Sequence, residues 1–324
     1  MITLPAELRE ALDEALSGHR EHDLARSAEQ LTARYRQPIR ERAIRSAADV
    51  AAYAAVRMPA TYAAVRTALA EAAGALPGFA PGTHLDVGGG TGAAVWAAAD
   101  VWPSLATTTV YERDPAIIDL ATTLVTGAGH PAVRGATWRQ ASIRPDLEKP
   151  AADLTTLSYV LGELPEDTRE AVVRWLAART KVVAIIEPGT QDGYARIVKA
   201  RDQLLGMGLH LAAPCPHEQP CPITGDDWCH FAARLPRDGL HRRLKSAALA
   251  FEDEKYSYVV ATTEPVSTPR ARILRHPRTR KGLVTLTLCE EGAIKEDNVS
   301  KRHGELYKRA RDVEWGESWP GVME

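Results

Sequence analysis

The sequence predicts an α/β protein built on a doubly wound parallel sheet, with an N-terminal helical domain and a small C-terminal β-containing appendage. Two observations carry that expectation. From residue 83 onward short apolar runs alternate with helical ones, and a βαβα order of this kind assembles parallel sheets. The first apolar run ends in a glycine-rich turn, Asp86-Val87-Gly88-Gly89-Gly90-Thr91-Gly92, where a strand passes into a helix.

Residues 4–76 read as helical. Leu4, Leu8, Leu12 and Leu16 recur at i+4, and Gly18 supplies a stop. Leu24, Ala28, Leu31 and Tyr35 continue the pattern until Pro38. The alanine-rich stretch from Ser46 is expected to break at Met58-Pro59, after which Thr61 caps a helix carrying Val65 and Leu69. Met58 and Tyr62 read as core residues. Pro77-Gly78-Phe79-Ala80-Pro81-Gly82 is a linker.

Beyond it the predicted strands are 84–87, 107–111, 136–140, 154–157, 182–186 and 256–261. Helices are predicted at 91–99, 115–125, 165–177, 194–205 and near 237–249. After Pro265 the chain turns basic, with strand-like 282–288. The expected units are a helical domain (1–78), a Rossmann-like domain (79–264) with a cysteine-bearing insertion (211–231), and the appendage (265–324).

A length of 324 residues suits two or three such units, and a 45% hydrophobic content supports a sizeable core without staples. No apolar run reaches membrane-spanning length, and the first residues lack the basic-then-apolar pattern of a secretory leader. The expectation is a cytoplasmic protein with reduced thiols and no membrane partner. Formal net charge is −2, yet positive charge is concentrated. Arg270, Arg272, Arg275, Arg278, Arg280 and Lys281 follow one another with no acid among them. A second run, Arg34, Arg36, Arg40, Arg42 and Arg45, is interrupted only by Glu41. The later run, dense and single-signed, points to a polyanion held mainly through phosphates.

The glycines of the turn let backbone N–H groups approach a ligand, and the helix start adds a favourable dipole. Glu112 ends the next strand, where an acid holds ribose hydroxyls. No Lys-Ser/Thr follows the glycines, which speaks against a phosphate-binding P-loop. Asp86 inside the turn repels a pyrophosphate but suits the cationic methionine end of S-adenosylmethionine. A dinucleotide site and a purely structural turn are the alternatives. Ser142, after the third strand, stands where an adenine contact is expected.

All four cysteines fall in the C-terminal half. Cys215 and Cys221 are flanked by prolines, Cys229 lies in Trp228-Cys229-His230-Phe231, and Cys289 is far downstream. Four thiolates complete a zinc or an iron–sulfur site. Four ordinary cysteines or two disulfides are the plainer alternative. His217 and His230 sit beside the cysteines, as neighbours of the ligands or as replacements if the metal is zinc.

With these features in hand the chain resembles the ribosomal small-subunit methyltransferase-like assembly factors of mitochondria and many bacteria, the methyltransferase-like seventeen family. The resemblance lies in Arg57-Met58-Pro59-Ala60-Thr61-Tyr62, the glycine turn, Ser158-Tyr159-Val160-Leu161-Gly162-Glu163-Leu164 and Glu187-Pro188-Gly189-Thr190. It continues through the cysteine register, Arg280-Lys281-Gly282, Val299-Ser300-Lys301 and Trp315-Gly316. It implies a Rossmann-like class I methyltransferase sheet with S-adenosylmethionine against Asp86, Gly88, Gly89, Gly90, Gly92, Glu112, Arg113, Ser142, Ser158 and Tyr159. It also implies a [4Fe–4S] cluster on Cys215, Cys221, Cys229 and Cys289, with zinc as the alternative, and action on the small ribosomal subunit or its rRNA.

The chemistry itself is sparse. The position after the fourth strand reads Leu157-Ser158-Tyr159-Val160, without the proline pair that presents an acceptor for an exocyclic amine. No residue stands out as catalytic, although Glu163 and Glu187 near strand ends are candidate bases whose plainer roles are cofactor positioning and helix capping. The expectation is an rRNA methyltransferase or a non-catalytic assembly factor; a small-molecule methyltransferase is the remaining alternative.

Overall fold

The computed structural model describes residues 1–35, 46–237 and 249–320, the side chains of 31–35 and 47 excepted. The N-terminal region forms α1 (Ala6–Ser17), α2 (Glu21–Tyr35) and α3 (Ala47–Ala75). Helix α3 runs straight through Pro59, where the sequence predicted a break. The reason is burial: Met58, Ala60, Tyr62, Ala63, Ala64, Val65, Ala68 and Leu69 are all at most 1% exposed, and their packing outweighs one lost backbone hydrogen bond. Tyr62 also donates to Asp100 at 3.1 Å, fixing α3 to the helix that follows the glycine turn.

Five parallel strands, β1 (Thr83–Val87), β2 (Thr107–Glu112), β3 (Thr137–Gln140), β4 (Ala152–Ser158) and β5 (Thr180–Pro188), lie in the order β3-β2-β1-β4-β5. Between them run α4 (Ala93–Val101), α5 (Pro115–Val125), the short α6 (Pro131–Arg134) and α7 (Glu166–Ala177), and α8 (Gln191–Gly206) follows β5. Strands β6 (His210–Ala213), β7 (Phe231–Pro236) and β8 (Phe251–Thr262) complete the sheet. The long β8 lies antiparallel beside β5, and its other edge pairs with β6 and then β7. This is the Rossmann-like methyltransferase sheet with its reversed strand.

Alternation along β5 builds both faces: Val182, Ala184 and Ile186 join the core under α3 and α4, and Val183 and Ile185 the core under α7 and α8. Crossovers of this length leave the loops after β1, β2, β4 and β5 together at one end of the sheet, where ligands of open α/β sheets bind.

The appendage has its own sheet and core. Strand β11 (Leu283–Glu290) pairs along its length with β12 (Ala293–Ser300) and, on the other edge, with β10 (Arg278–Arg280) and β9 (Ala271–Ile273). Ala271, Ile273, Val284, Leu286, Leu288 and Val299 pack against Ala310 of α9 (Glu305–Asp312) and Trp319 of β13 (Ser318–Trp319). The helix predicted near 237–249 falls almost wholly outside the described residues. No described helix is long and apolar enough to cross a membrane.

Candidate functional site

A cavity of about 770 Å³ opens at the loop end of the parallel strands. Its walls include Asp86 and Gly88–Gly90, Glu112 and Arg113, Ser142, Ser158 and Tyr159. Gly92 lies just outside this lining, as the residue before α4. Gly88, Gly90 and Gly92 hold φ of 70°, 54° and 89°, a left-handed backbone that favours glycine. Crowding demands glycine at 88 and 89 as well. A Cβ on Gly88 would lie 2.6 Å from Val160, and one on Gly89 would lie 2.5 Å from Asp86 Oδ2.

The loop amides spend themselves inward. Gly88 and Gly89 donate to the Tyr111 carbonyl at 2.7 and 3.2 Å. Gly90 N donates to Glu112 Oε2 at 3.0 Å, and Glu112 Oε1 accepts from the amides of Arg113 and Asp114. A carboxylate offers about four lone-pair sites, so Glu112 keeps about one for a ligand hydroxyl rather than two.

Electrostatics give the cavity its sign. Six acids line it (Asp86, Glu112, Asp114, Glu163, Glu187, Glu254) against three arginines (Arg57, Arg113, Arg196). Each arginine is paired: Arg113 with Glu163 at 3.1 Å, Arg196 with Glu187 at 2.6 Å, Arg57 with Glu254 at 3.9 Å. Asp86 is 1% exposed, and its Oδ2 has no hydrogen-bond partner among the described residues. Burial, opposed by a hydrogen bond from Thr156 and reinforced by Glu112, pushes its carboxyl up to about 7. The cavity suits a cation.

Glu187 is fully buried; Oε1 accepts the Leu161 amide at 3.0 Å and Oε2 the Arg196 guanidinium. Burial raises both Glu187 and Glu163 above the usual carboxylate range. Tyr159 holds φ of 61°, donates to Glu254 at 2.9 Å and lies beneath Arg57, 5.5 Å from its ring centre. Sequence reasoning missed Tyr53, Arg196 and Glu254 as wall residues. Arg57 belonged to the resembling motif, whereas Glu254 sits in an ordinary charged run and gave no signal.

The four cysteines, all free, line a second cavity of about 40 Å³ together with Tyr194, Arg201, His217 and Arg272. Tyr194 Oη lies 3.1 Å from Cys221 Sγ, and His217 Nε2 lies 3.2 Å from Cys289 Sγ. Among the described residues, no three His, Cys, Asp or Glu side chains form a group that could hold a metal ion as placed. The thiols line a space; they do not close on one point. Arg201 is buried, its Nη2 bonded to the carbonyls of His217 and Gln219, and its Nε is without a partner among the described residues. Burial pushes Cys289 up to about 12 and raises Cys215 and Cys229.

The basic run does not form the unbroken surface its sequence suggested. Arg272 is 4% exposed and donates to the carbonyls of Pro214 (2.9 Å) and Gly316 (2.7 Å) while pairing with Glu71 of α3. It is unavailable to a phosphate. Arg270 pairs with Glu290, Arg275 with Asp227 and Arg278 with Glu296, acids that the fold brings from elsewhere in the chain. Arg280 and Lys281 are exposed. The side chains of the 34–45 run lie outside the described residues.

Comparison with known proteins places the chain in a family. The family described as "Mitochondrial small ribosomal subunit Rsm22" matches residues 47–320, from the start of α3 to the end of the appendage. The chain belongs to this family. The human mitochondrial ribosome assembly protein METTL17 is 32% identical over 292 residues, 83% of this chain and 62% of its own length. The mitochondrial Rsm22-cox11 tandem protein 2 of Schizosaccharomyces pombe is 26% identical over 183 residues, 43% of this chain and 24% of that protein. The chain therefore spans less than two thirds of the length of these relatives. A putative RNA methyltransferase from Pyrococcus horikoshii is 13% identical with a TM-score of 0.42, covering 64% of this chain and 86% of that one. The fold assignment rests on the strand order.

Proposed function

We propose that this Rsm22-family chain binds S-adenosylmethionine in the 770 Å³ cavity and serves in assembly of the small ribosomal subunit, touching its rRNA through the appendage. The observation that carries the cofactor reading is the unpartnered, buried Asp86 Oδ2 in a cavity whose arginines are all paired. A sulfonium-bearing amino acid supplies the missing positive charge, and a dinucleotide pyrophosphate would add to the excess of negative charge. The cofactor contacts are Asp86, Glu112, Ser142, Ser158 and Tyr159, with Gly88, Gly89, Gly90 and Gly92 shaping the loop and Arg113 the rim.

The non-catalytic reading has its own support. The acids placed to act as bases, Glu163 and Glu187, are ion-paired, and Tyr159 is tied to Glu254 and Arg57. General-base catalysis of methyl transfer needs an acceptor for the leaving proton, and both of these acids are already engaged by a guanidinium.

At the second cavity the donor chemistry fits an anionic cluster. Four thiols, two buried guanidiniums and an orphaned Arg201 N–H surround one space. Zinc would need all four sulfurs about 2.3 Å from one point, whereas the thiols surround a space of about 40 Å³. We assign Cys215, Cys221, Cys229 and Cys289 to a [4Fe–4S] cluster, which when bound ties the cysteine segment to the appendage. Anaerobically purified protein should be brown, with about four iron and four sulfide per chain; colourless protein with one zinc would refute the cluster. The free cysteines suit a reducing compartment, and we place the protein in the cytoplasm, whereas the relatives carry mitochondrial names.

Calorimetry with S-adenosylmethionine and mass spectrometry of 16S rRNA nucleosides from a deletion strain test the whole reading. Gly90→Val forces a branched side chain onto φ of 54°, 3.4 Å from Tyr53 Oη, and should abolish binding. Glu112→Ala should weaken it by about 1.5–3 kcal/mol for a lost charged hydrogen bond. Wild-type affinity in both variants would place the cofactor elsewhere, and a modified nucleotide missing from the deletion strain would make the protein an enzyme.

A further inference from the structure

Beneath the glycine loop a buried chain of polar groups leads to Asp86. Thr156 Oγ1 donates its only proton to Asp86 Oδ1 at 2.7 Å. His84 Nε2 lies 2.8 Å from that same Thr156 oxygen, so the imidazole must be the donor there and carries its proton on Nε2. The three side chains are buried, at 2%, 0% and 1% exposure. His84 Nδ1 is left without a partner among the described residues, and burial drives the ring down to about 3. The ring is therefore neutral at any working pH, and the chain has a fixed direction, His84 to Thr156 to Asp86. It holds Oδ1 and leaves Oδ2 buried without a partner among the described residues against Gly89, in a residue that lines the cavity and where any side chain at 89 would crowd it.

The charges around that oxygen are wrong for an empty site. Glu112 from β2 acts on it directly, and Tyr53 and Arg57 from α3 and Glu163 from the turn after β4 line the same cavity. Arg57 is the one cation of this group, and it is taken by Glu254 and the Tyr159 ring.

We propose that Asp86 is the counter-ion for the positive charge of the bound ligand, that Thr156 positions it with His84 behind, and that ligand binding expels a proton from this carboxyl to solvent. The inference deepens the cofactor reading and rests on it. With the free carboxyl titrating at about 7, roughly half the molecules are protonated at pH 7 before ligand arrives. A cation within about 4–6 Å then favours the carboxylate, and the O–H bond breaks with its proton passing to buffer. An ordinary surface carboxylate would release nothing near neutrality.

The test is titration calorimetry of the full chain with S-adenosylmethionine in two buffers of different ionisation enthalpy, at pH 6 and 7. The expected result is about half a proton released per ligand at pH 7 and close to a whole proton at pH 6, with affinity several-fold weaker at pH 6. S-adenosylhomocysteine keeps the ammonium and lacks the sulfonium. Equal release with it assigns the charge to the ammonium, and lost release assigns it to the sulfonium; either supports the proposal. Asp86→Asn should bind at least tenfold more weakly, with no proton release. Thr156→Val should move the midpoint of the pH profile upward, because the hydrogen bond that favours the carboxylate is gone, and Thr156→Ser should restore it. Should Asp86→Asn fail to fold, the wild-type proton count decides. Binding without proton release overturns this proposal alone, whereas no binding at either pH overturns the cofactor reading itself.

Discussion

Arg272 and Arg280 belong to one basic run, yet β9 lies between β11 and β13 while β10 lies at an edge, so one side chain is buried and the other meets water. Arg272 joins three distant parts of the chain: Glu71 of α3, the Pro214 carbonyl beside Cys215 and the Gly316 carbonyl. Its loss leaves those partners unpaired. Arg272→Ala should cost about 3 kcal/mol of stability, read by thermal or denaturant unfolding. Arg280→Ala with Lys281→Ala should leave stability within about 0.5 kcal/mol. The same pair should flatten the salt dependence of 16S fragment binding by roughly 0.7–0.9 of log–log slope for each lost phosphate contact. An unaltered slope would move the RNA surface away from β10.

Helix α3 does two jobs along its 29 residues. Its first half brings Tyr53, Arg57 and Met58 to the larger cavity, and its second half presents Glu71 to Arg272. Pro59 sits between them at a cost, since proline removes an intrahelical bond and crowds the preceding turn. Pro59→Ala should therefore raise stability by about 2 kcal/mol, the interior penalty of about 3 less the entropy that proline removes from the unfolded chain. Calorimetric unfolding checks this, and a lower midpoint would show that the proline shapes the helix for its packing. Strand β8 and helix α8 share this double duty. Glu254 and Arg196 face the larger cavity, while Ser257, Tyr258, Tyr194 and Arg201 face the cysteines.

The two cavities therefore share walls, and the cysteines draw two segments of the chain together. Cys289 lies on β11 of the appendage, the other three between β6 and β7. The appendage has a core of its own, and its link to the larger sheet runs through 263–270, with exposed residues at 263–265. Metal-site binding energy is folding energy for the parts it joins. Cys289→Ser should thus make the 263–270 link the first point of limited proteolysis, yielding a resistant C-terminal fragment and an intact glycine-loop domain. An unchanged digest would show that Arg272 and the apolar contacts of Val266 and Trp315 hold the appendage without the cysteines.

The Rossmann-like architecture, the strands and, apart from the short α6, the α-helices from 83 to 206, and the glycine turn with Glu112 were legible in the chain, because each follows from local periodicity, turn chemistry and short crossovers. Met58 and Tyr62 were legible as core for the same reason. The folded molecule alone settled the questions that depend on distant partners. Pro59 stays helical because the sheet buries its neighbours. Glu112 keeps about one free lone pair because loop amides claim the others. Acids at 71, 227, 290 and 296 pair arginines of a run that contains no acid of its own. Charge pairing and burial act through space, over separations that no local window along the sequence contains.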